Sequence, residues 1–203
     1  RLVEEKRREK LVIEESDLIT VPGLIMKQQF ELLYPRNNKV IVLPHGYDKD
    51  EFSEVRSENG SKLLKWVYGG TLYPGSYENY KSVFRYVEEN EKRLNLNVYS
   101  RSHSLSFKKF KGVYFDELLS PESFNQICQQ SDAFIWLFPE KFKNWFTTKL
   151  YELIYCRIPI VYIGYAGQFS EFILENKLGI FIEADDLENQ VEKIIEEAKK
   201  NNN

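Results

Sequence analysis

The sequence predicts an α/β fold in which a mainly parallel sheet carries helices on both faces. From residue 63 onward, short apolar segments rich in valine, isoleucine and aromatic residues alternate with longer segments of helical periodicity. Such alternation is typical of βα units, whose crossovers place helices over a parallel sheet. The length of 203 residues suits one sizeable α/β domain, or one domain with part of another.

Composition excludes several classes of protein. Hydrophobic residues make up 42% and charged residues 29% of the chain, as in ordinary globular proteins. The net charge of −3 argues against a general nucleic-acid binder. The two cysteines, Cys128 and Cys156, form no C-x-x-C pair, which indicates a reducing compartment and no structural metal site. No apolar run has the length of a membrane span, and no signal peptide is visible.

The elements follow the chain in a regular order. Residues 1–15 predict an exposed helix, whose charged run at 4–10 is best interpreted as a solvated face. The composition shifts to serine, glutamate, asparagine and glycine over residues 52–61, which predicts a linker. Strands are predicted at 17–21, 39–43, 63–68, 96–99, 112–115, 133–138, 160–163 and 179–182, and helices at 24–34, 77–90, 121–130, 168–175 and 187–200, with a further helix in the first part of residues 146–164.

Ligands of an open parallel sheet bind beyond the carboxyl ends of its strands. We therefore expect the functional residues in the loops that follow the predicted strands, at 69–76, 100–110, 115–120 and 139–149. The chain begins inside a charged segment without an initiator methionine, so we expect a part of a longer protein.

The segment from residue 146 to residue 164 predicts a helix, a turn and a buried strand. Thr147 and Thr148 are good N-cap types, and Lys149 and Glu152 share one helix face near the same end. Free N–H groups and a partial positive charge at a helix start suit an anion such as phosphate. Glu152, one turn in, could hold a pair of sugar hydroxyls. Because it falls four or five residues after the cap, a capping box is disfavoured, but compensation of the helix dipole remains an alternative.

Three further signals are weaker. Gly69 and Gly70 follow a strand and would let a diphosphate approach the backbone, although an ordinary tight turn explains them equally well. His45 and His103 lack the partners of a metal site or a Ser-His-Asp triad, so we predict neither. Residues 107–111 interleave aromatic and basic side chains, which permits contact with a phosphate or an anionic lipid surface, but a solvated loop is favoured.

Taken in order, four parts of the chain carry a resemblance. They are 16–21 with 40–48 (VIVLPHGYD), 66–72 (WVYGGTL), 113–119 with 131–139, and 148–161 (TKLYELIYCRIPIV). This order resembles the C-terminal, donor-binding half of a GT-B glycosyltransferase of the family 4, or group 1, type. The resemblance covers nearly the whole chain. It implies that 1–52 is the trailing segment of an N-terminal acceptor domain with the interdomain linker, and that 53–203 is a Rossmann-like domain binding a nucleotide-sugar.

The resemblance also implies roles for individual residues. Glu152 would hydrogen-bond the ribose hydroxyls, and backbone near Tyr114, Phe115 and Asp116 would read the base. The diphosphate would meet the glycine loop and the helix start, at Gly69, Gly70, Thr71, Thr147, Thr148 and Lys149. Sugar transfer in this fold usually needs no metal or other cofactor, and the catalytic base would lie mostly in the other domain.

The chain departs from the family pattern at two places. Many members carry a second acid, separated from the ribose glutamate by seven residues, where this chain has Asn144. Many also place arginine directly after the loop glycine and lysine a few residues later, where this chain has Thr71 and then no lysine before Lys81. Arg101, Lys108 or Lys149 could supply the missing positive charge to a leaving diphosphate.

The sequence therefore predicts a fragment of a glycosyltransferase that builds a polysaccharide or glycoconjugate. Its partners would be a nucleotide-diphospho-sugar donor and a glycan or lipid-linked acceptor, with no nucleic acid. We expect it in the cytoplasm, with a place at the inner face of the membrane as an alternative. A nucleotide-sugar 2-epimerase of the same fold and a binding-only, degenerate GT-B module remain open. A receiver-like or flavodoxin-like domain is less favoured, because neither an acidic cluster nor a flavin phosphate loop is present.

Overall fold

The computed structural model describes residues 2–35, 39–52, 63–73, 76–101 and 110–186. Eight strands and six α-helices lie within these ranges. In chain order they are α1 (Leu2–Glu15), β1 (Ile19–Val21), α2 (Leu24–Leu33), β2 (Val40–Val42), β3 (Leu64–Gly69), α3 (Tyr77–Glu89), β4 (Leu94–Tyr99), β5 (Val113–Asp116), α4 (Pro121–Gln129), β6 (Ala133–Leu137), α5 (Thr148–Cys156), β7 (Ile160–Gly164), α6 (Gln168–Glu175) and β8 (Gly179–Glu183).

The main sheet has six parallel strands in the order β5-β4-β3-β6-β7-β8. Its interior strands β6 and β7 are buried along their whole length, as expected for continuous apolar runs covered on both faces. The order reverses between β3 and β6, because the chain first builds outward to β5 and then returns to the other side of β3. This is the doubly wound arrangement of a Rossmann-like sheet, so the predicted fold class is confirmed.

Two apolar cores lie on opposite faces of this sheet. Alternate residues of each strand point to opposite faces, so Trp66 and Tyr68 join one core whereas Val67 joins the other. Helix α3 covers the first face through Val83 and Phe84, and helices α4, α5 and α6 cover the second. The prediction of helices on both faces is thereby confirmed.

The first part of the chain packs less tightly. Strands β1 and β2 form a separate two-stranded parallel sheet, and α2 has no buried residue. Leu32 and Leu33 of α2 are 82% and 68% exposed. Ile13 of α1 is buried, but the neighbouring Leu11 and Val12 lie in solvent. A two-stranded sheet is marginally stable by itself, so this part buries too little apolar surface to resemble an independent core.

The segment between β2 and the predicted linker lies against helix α5. The rings of Tyr47 and Phe52 contact Tyr155, with centroid distances of 4.5 and 4.4 Å. The carbonyl of Glu51 accepts a hydrogen bond of 3.4 Å from Asn125 of α4. Residues 45–52 thus pack against the larger sheet's helices, and the domain boundary at residues 52 and 53 stays a prediction.

Where the structure describes a predicted helix or strand, its observed ends lie within one or two residues of the predicted ends. Strand β4 begins at Leu94 rather than Leu96, because Leu94 pairs with Leu64 and is fully buried. The predicted helix at 187–200, the predicted linker at 52–61 apart from its first residue, and most of the loop at 100–110 lie outside the described residues. Among the helices that are described, none combines the length and apolarity that crossing a membrane would require.

Candidate functional site

An open cleft of about 270 Å³ lies at the carboxyl edge of the sheet, where β3 and β6 meet. One wall is the loop after β3, with Gly69, Gly70 and Thr71. The facing wall is the start of α5, with Thr147, Thr148 and Lys149. The chain leaves β3 toward one face of the sheet and leaves β6 toward the other, which opens a crevice between them. Six of the predicted site residues therefore lie together in one cleft.

The two glycines of the loop serve different purposes. A Cβ atom at Gly69 would lie 2.2 Å from Cζ of Phe124, so this glycine is needed for the packing of α4 against the strand end. Gly70 has a φ of +142°, and a Cβ atom there would meet nothing within 4 Å. Gly70 therefore supplies the backbone conformation that side chains disfavour, and it leaves the cleft side of the loop open. Gly69 thus serves packing, Gly70 supplies the unusual backbone angle, and the approach of a ligand to this loop stays a prediction.

Two buried tyrosine hydroxyls hold the same loop. Tyr68 donates a hydrogen bond of 2.7 Å to the carbonyl of Thr71, and the N–H of Tyr73 donates one of 2.9 Å to the hydroxyl of Tyr80. The rings of Tyr68 and Tyr80 meet edge to face at 6.0 Å. Burial is the main cause that raises the pKa of both phenols, so both are neutral at physiological pH.

The start of α5 lines the cleft, and the first N–H groups of a helix have no partner within it. Thr147 takes the N-cap position, but its side chain makes no capping hydrogen bond, contrary to the expectation from its residue type. Its Oγ1 atom is buried and has no hydrogen-bond partner in the part of the chain that is described. A buried hydroxyl without a partner at the mouth of a cleft is costly unless a ligand or water completes it.

Lys149 and Glu152 lie on one face of α5, as predicted, and face α4. Their charged atoms Nζ and Oε2 are 3.9 Å apart, and their side chains are 31% and 18% exposed. The ammonium of Lys149 also lies 4.3 Å from the ring centre of Phe124. Lys149 thus reaches the cleft while its charge is balanced by Glu152. Glu152 does not line the cleft itself but lies beside it, one turn further along α5.

The two cysteines lie near this ion pair. Burial is the largest cause that raises the pKa of the Cys156 thiol to about 12, and the negative charge of Glu152 adds to it while Lys149 opposes it. Burial likewise raises the pKa of the Cys128 thiol well above its usual value. Both thiols are therefore protonated and poor nucleophiles at neutral pH.

Asn144 has a structural role. It stands at the position where many members of the family that the motifs resemble carry an acid. Its Oδ1 atom accepts a hydrogen bond of 3.0 Å from the N–H of Gln168 at the start of α6. The carbonyl of Lys143 accepts another of 3.0 Å from the N–H of Phe169. A Cβ atom at Gly167 would lie 2.7 Å from Asn144 Oδ1. The loop before α5 is thus tied to the N-terminus of α6 through a neutral side chain.

Arg101, Tyr114 and Phe115 are not among the residues that line the cleft. Arg101 follows β4 and is exposed, and Lys108 lies outside the described residues. Tyr114 and Phe115 stand near the carboxyl end of the edge strand β5, with 58% and 38% of their surface exposed. The carbonyl of Asp116 accepts a hydrogen bond of 3.1 Å from the N–H of Ser100. These assignments, like those within the cleft, remain predictions.

Sequence reasoning missed part of the cleft lining. Tyr73, Trp136 and Phe138 also line it, and Tyr68 and Tyr80 hold its loop. Trp136 and Phe138 end the β6 run, so the rule that ligands bind beyond strand ends could have indicated them. His45 lies edge-on to Tyr151 at 6.5 Å, and His103 lies outside the described residues. Within the described ranges, no three or more histidine, cysteine, aspartate or glutamate side chains form a group suited to a metal.

The comparisons find known proteins of similar structure. No protein-family model matches the sequence, and no curated protein matches it at a significant level. HepE of Anabaena, solved with UDP-glucose, matches over 94% of this chain and 57% of its own, with 13% identity and a TM-score of 0.68. TarM matches over 97% of this chain and 39% of its own, with 12% identity and a TM-score of 0.63. A Listeria monocytogenes structure, provisionally assigned as a UDP-N-acetylglucosamine 2-epimerase, matches over 92% and 52%, with 12% identity and a TM-score of 0.57.

At these identities the similarity establishes the fold alone. The chain spans between 39% and 57% of the length of the three solved chains. The resemblance to the C-terminal half of GT-B glycosyltransferases, predicted from the order of four motifs, is confirmed as a likeness of fold.

Proposed function

We propose that this chain is the donor-binding half of a GT-B glycosyltransferase and that its cleft holds a nucleotide-diphospho-sugar. The observation that carries the proposal is the cleft at the point where the strand order reverses, between the Gly70 loop and the start of α5. The unpartnered hydroxyl of Thr147 supports it, because that group could donate a hydrogen bond to a phosphate oxygen.

The chemistry of the walls suits a diphosphate more than a bare anion. N–H groups at the start of α5 provide dipoles on one side of it. On the other side the Gly70 N–H already donates to the carbonyl of Tyr99 at 3.0 Å, which leaves the Thr71 N–H for the diphosphate. Lys149 adds one positive charge, but Glu152 balances it at 3.9 Å, so the attraction rests mainly on hydrogen bonds. A ribose beside the diphosphate could use the Glu152 carboxylate, which is the role that the motif resemblance implies.

In the whole protein, this half would position the donor and stabilise the leaving diphosphate, while the acceptor and the catalytic base would come from the other domain. We propose transfer to a glycan or lipid-linked acceptor in polysaccharide or glycoconjugate synthesis, in the cytoplasm or at the inner face of the membrane. The 203-residue chain alone should bind nucleotide weakly without transferring sugar. Measured turnover of a nucleotide-sugar by this chain would contradict the proposal.

Calorimetry with UDP-glucose and UDP tests the donor site, with ADP and GDP sugars for comparison. UDP-glucose is the first probe because HepE was solved with it. Glu152→Ala should weaken binding about 10- to 100-fold, because hydrogen bonds to a charged group are worth about 1.5–3 kcal/mol. The affinity of Glu152→Gln should lie between those of the wild type and Glu152→Ala, since glutamine keeps a hydrogen-bond acceptor but loses the charge.

Glu175→Ala, on the exposed side of α6, is the matched control and should bind like the wild type. Equal affinity in Glu152→Ala and in the control would show that the ribose assignment is wrong. Absence of binding by the wild type to every nucleotide-sugar would refute the donor site itself.

A binding-only module is the second candidate. It is favoured by Thr71 in place of an arginine and by Asn144, which holds α6 where an acid is common. Transfer or hydrolysis of the sugar by the protein with its acceptor domain would exclude it. The epimerase alternative has support at the level of fold alone, and formation of a 2-epimer from UDP-N-acetylglucosamine would establish it.

A further inference from the structure

We propose that Tyr68 and Tyr80 are positioning residues that fix the backbone of the glycine loop in the orientation that a nucleotide diphosphate requires. This inference rests on the proposed function of the cleft. It assigns a role to two buried side chains that the resemblance does not mention.

The two hydroxyls act on consecutive peptide groups. Tyr68 donates to the carbonyl of Thr71 at 2.7 Å, which orients the peptide plane between Thr71 and Leu72. Tyr80 accepts from the N–H of Tyr73 at 2.9 Å, which orients the next plane, between Leu72 and Tyr73. Because each peptide is planar and trans, fixing one of its polar groups also fixes the direction of the other. The Leu72 N–H therefore points away from the Tyr68 hydroxyl.

Both tyrosines are firmly held. Tyr68 is 5% and Tyr80 is 1% exposed, and Leu72 between the two peptide planes is 7% exposed. The ring of Tyr68 also stacks on Phe134 of β6 at 6.4 Å. One tyrosine comes from the strand before the loop and the other from the helix after it, so the loop is anchored on both sides. Burial keeps both phenols neutral, and hydrogen bonds are stronger in such an interior than in water.

This arrangement matters because the loop has few charges. Thr71 stands at the position where the family pattern has an arginine. An arginine would attract the diphosphate over several ångströms, so small shifts in the backbone would matter little. N–H dipoles act only when they point at the bound oxygens, so a site of this kind depends on backbone orientation prepared in advance. The Tyr68 hydroxyl also keeps the Thr71 carbonyl occupied, and a carbonyl turned toward a phosphate would repel it.

The chain contains a matched control at a second loop. Tyr162 of β7 donates a hydrogen bond of 3.1 Å to the carbonyl of Tyr165, again three residues further along. Tyr162 is fully buried, and neither residue lines the cleft. Tyr162→Phe therefore removes a hydrogen bond of the same kind, together with one of 3.3 Å that the hydroxyl accepts from the Tyr165 N–H. Both lie at a strand end that takes no part in the proposed site.

The experiment compares UDP-glucose affinity, by calorimetry, in the 203-residue wild-type chain, Tyr68→Phe, Tyr80→Phe and Tyr162→Phe. Phenylalanine keeps the ring, so all three variants should fold, and urea unfolding measures their stability in parallel. We expect the dissociation constant to rise about 3- to 10-fold in the first two variants, as for loss of one hydrogen bond, and to stay unchanged in Tyr162→Phe. Amide exchange at Leu72 and Tyr73 should become faster in Tyr68→Phe and Tyr80→Phe without any ligand.

The outcomes separate this inference from the proposed function. If the wild type binds and Tyr68→Phe and Tyr80→Phe bind equally tightly, the positioning role is wrong and the donor site stands. If all three variants lose affinity in proportion to stability, the tyrosines act on the fold in general, which also overturns the role. If the wild type binds neither UDP-glucose nor UDP, the donor site and the positioning role are both rejected.

Discussion

The loops that follow β3 and β7 are built alike, yet only the first lines a cleft. Each strand ends in a glycine at which an added Cβ atom would clash with an aromatic side chain. The Cβ atom would lie 2.2 Å from the ring of Phe124 at Gly69 and 2.6 Å from the hydroxyl of Tyr162 at Gly164. Each loop is also held by a tyrosine hydroxyl bonded to a carbonyl three residues further along. Glycines and tyrosine hydroxyls therefore do not by themselves distinguish a binding loop from a structural one.

The difference lies in the strand order around the two loops. Strand β7 lies between β6 and β8, and the helices that follow β6 and β7 pack in the same core. Strand β3 lies beside β6, but the helix that follows β3 packs in the opposite core. The two chain segments leaving β3 and β6 diverge, and the crevice between them becomes the cleft. The strand order creates the cleft, and the local sequence supplies the residues that line it.

The largest expected effect comes from filling the two strand-end glycines. Gly69→Ala and Gly164→Ala should each lower the free energy of unfolding by about 1–3 kcal/mol, because the added methyl group overpacks against a ring. Urea unfolding measures this loss. Only Gly69→Ala should also weaken UDP-glucose binding, since the displaced ring of Phe124 supports Lys149 at 4.3 Å. Equal loss of affinity in both variants would contradict the distinction between the loops.

Gly70 allows a change without a steric clash. Gly70→Ala should cost about 1–2 kcal/mol of stability through backbone strain at its φ of +142°. It should also weaken UDP-glucose binding, because relief of that strain reorients the loop. Gly46→Ala is the control: its added methyl group also meets nothing within 4 Å, and its φ carries no strain. Gly70→Ala with the stability and affinity of this control would show that the loop conformation is unimportant.

A smaller loss of stability is expected at the contact between the loop that follows β6 and the loop that follows β7. Asn144→Ala should lower the free energy of unfolding by about 1 kcal/mol, because the Gln168 N–H at the start of α6 loses its acceptor. Asn144→Asp should retain the stability, since a carboxylate accepts the same bond and favours a helix N-terminus. If Asn144→Asp is as unstable as Asn144→Ala, the side chain does not act as a cap.

Much of the fold was predictable because its strands are short runs of β-branched and aromatic residues between clear turns. The site was predictable only in outline. The motif order indicated Gly70, Thr148 and Lys149, and the structure brings them into one cleft. Sequence periodicity could not show that Gly69 accommodates Phe124, 55 residues away in the chain, because that contact depends on the crossover between strands.

Local rules also failed where tertiary structure dominates. Thr147 has the residue type of a capping side chain, but its hydroxyl makes no capping bond. Arg157, the residue that ends α5, adopts a left-handed φ of 56°, where glycine is usual. Asn144 looked like a lost acid, and only its contact with Gln168 reveals a structural role. Each of these outcomes depends on a neighbour distant in sequence or on a backbone angle that composition does not report.

The most direct test of the donor site is a crystal structure of the chain with UDP-glucose. The account predicts diphosphate oxygens within about 3 Å of N–H groups at the start of α5, with one oxygen bonded to Thr147 Oγ1 and the other side of the diphosphate against the Gly70–Thr71 backbone. A diphosphate bound at the β7 loop, or anywhere away from the cleft between β3 and β6, would contradict it.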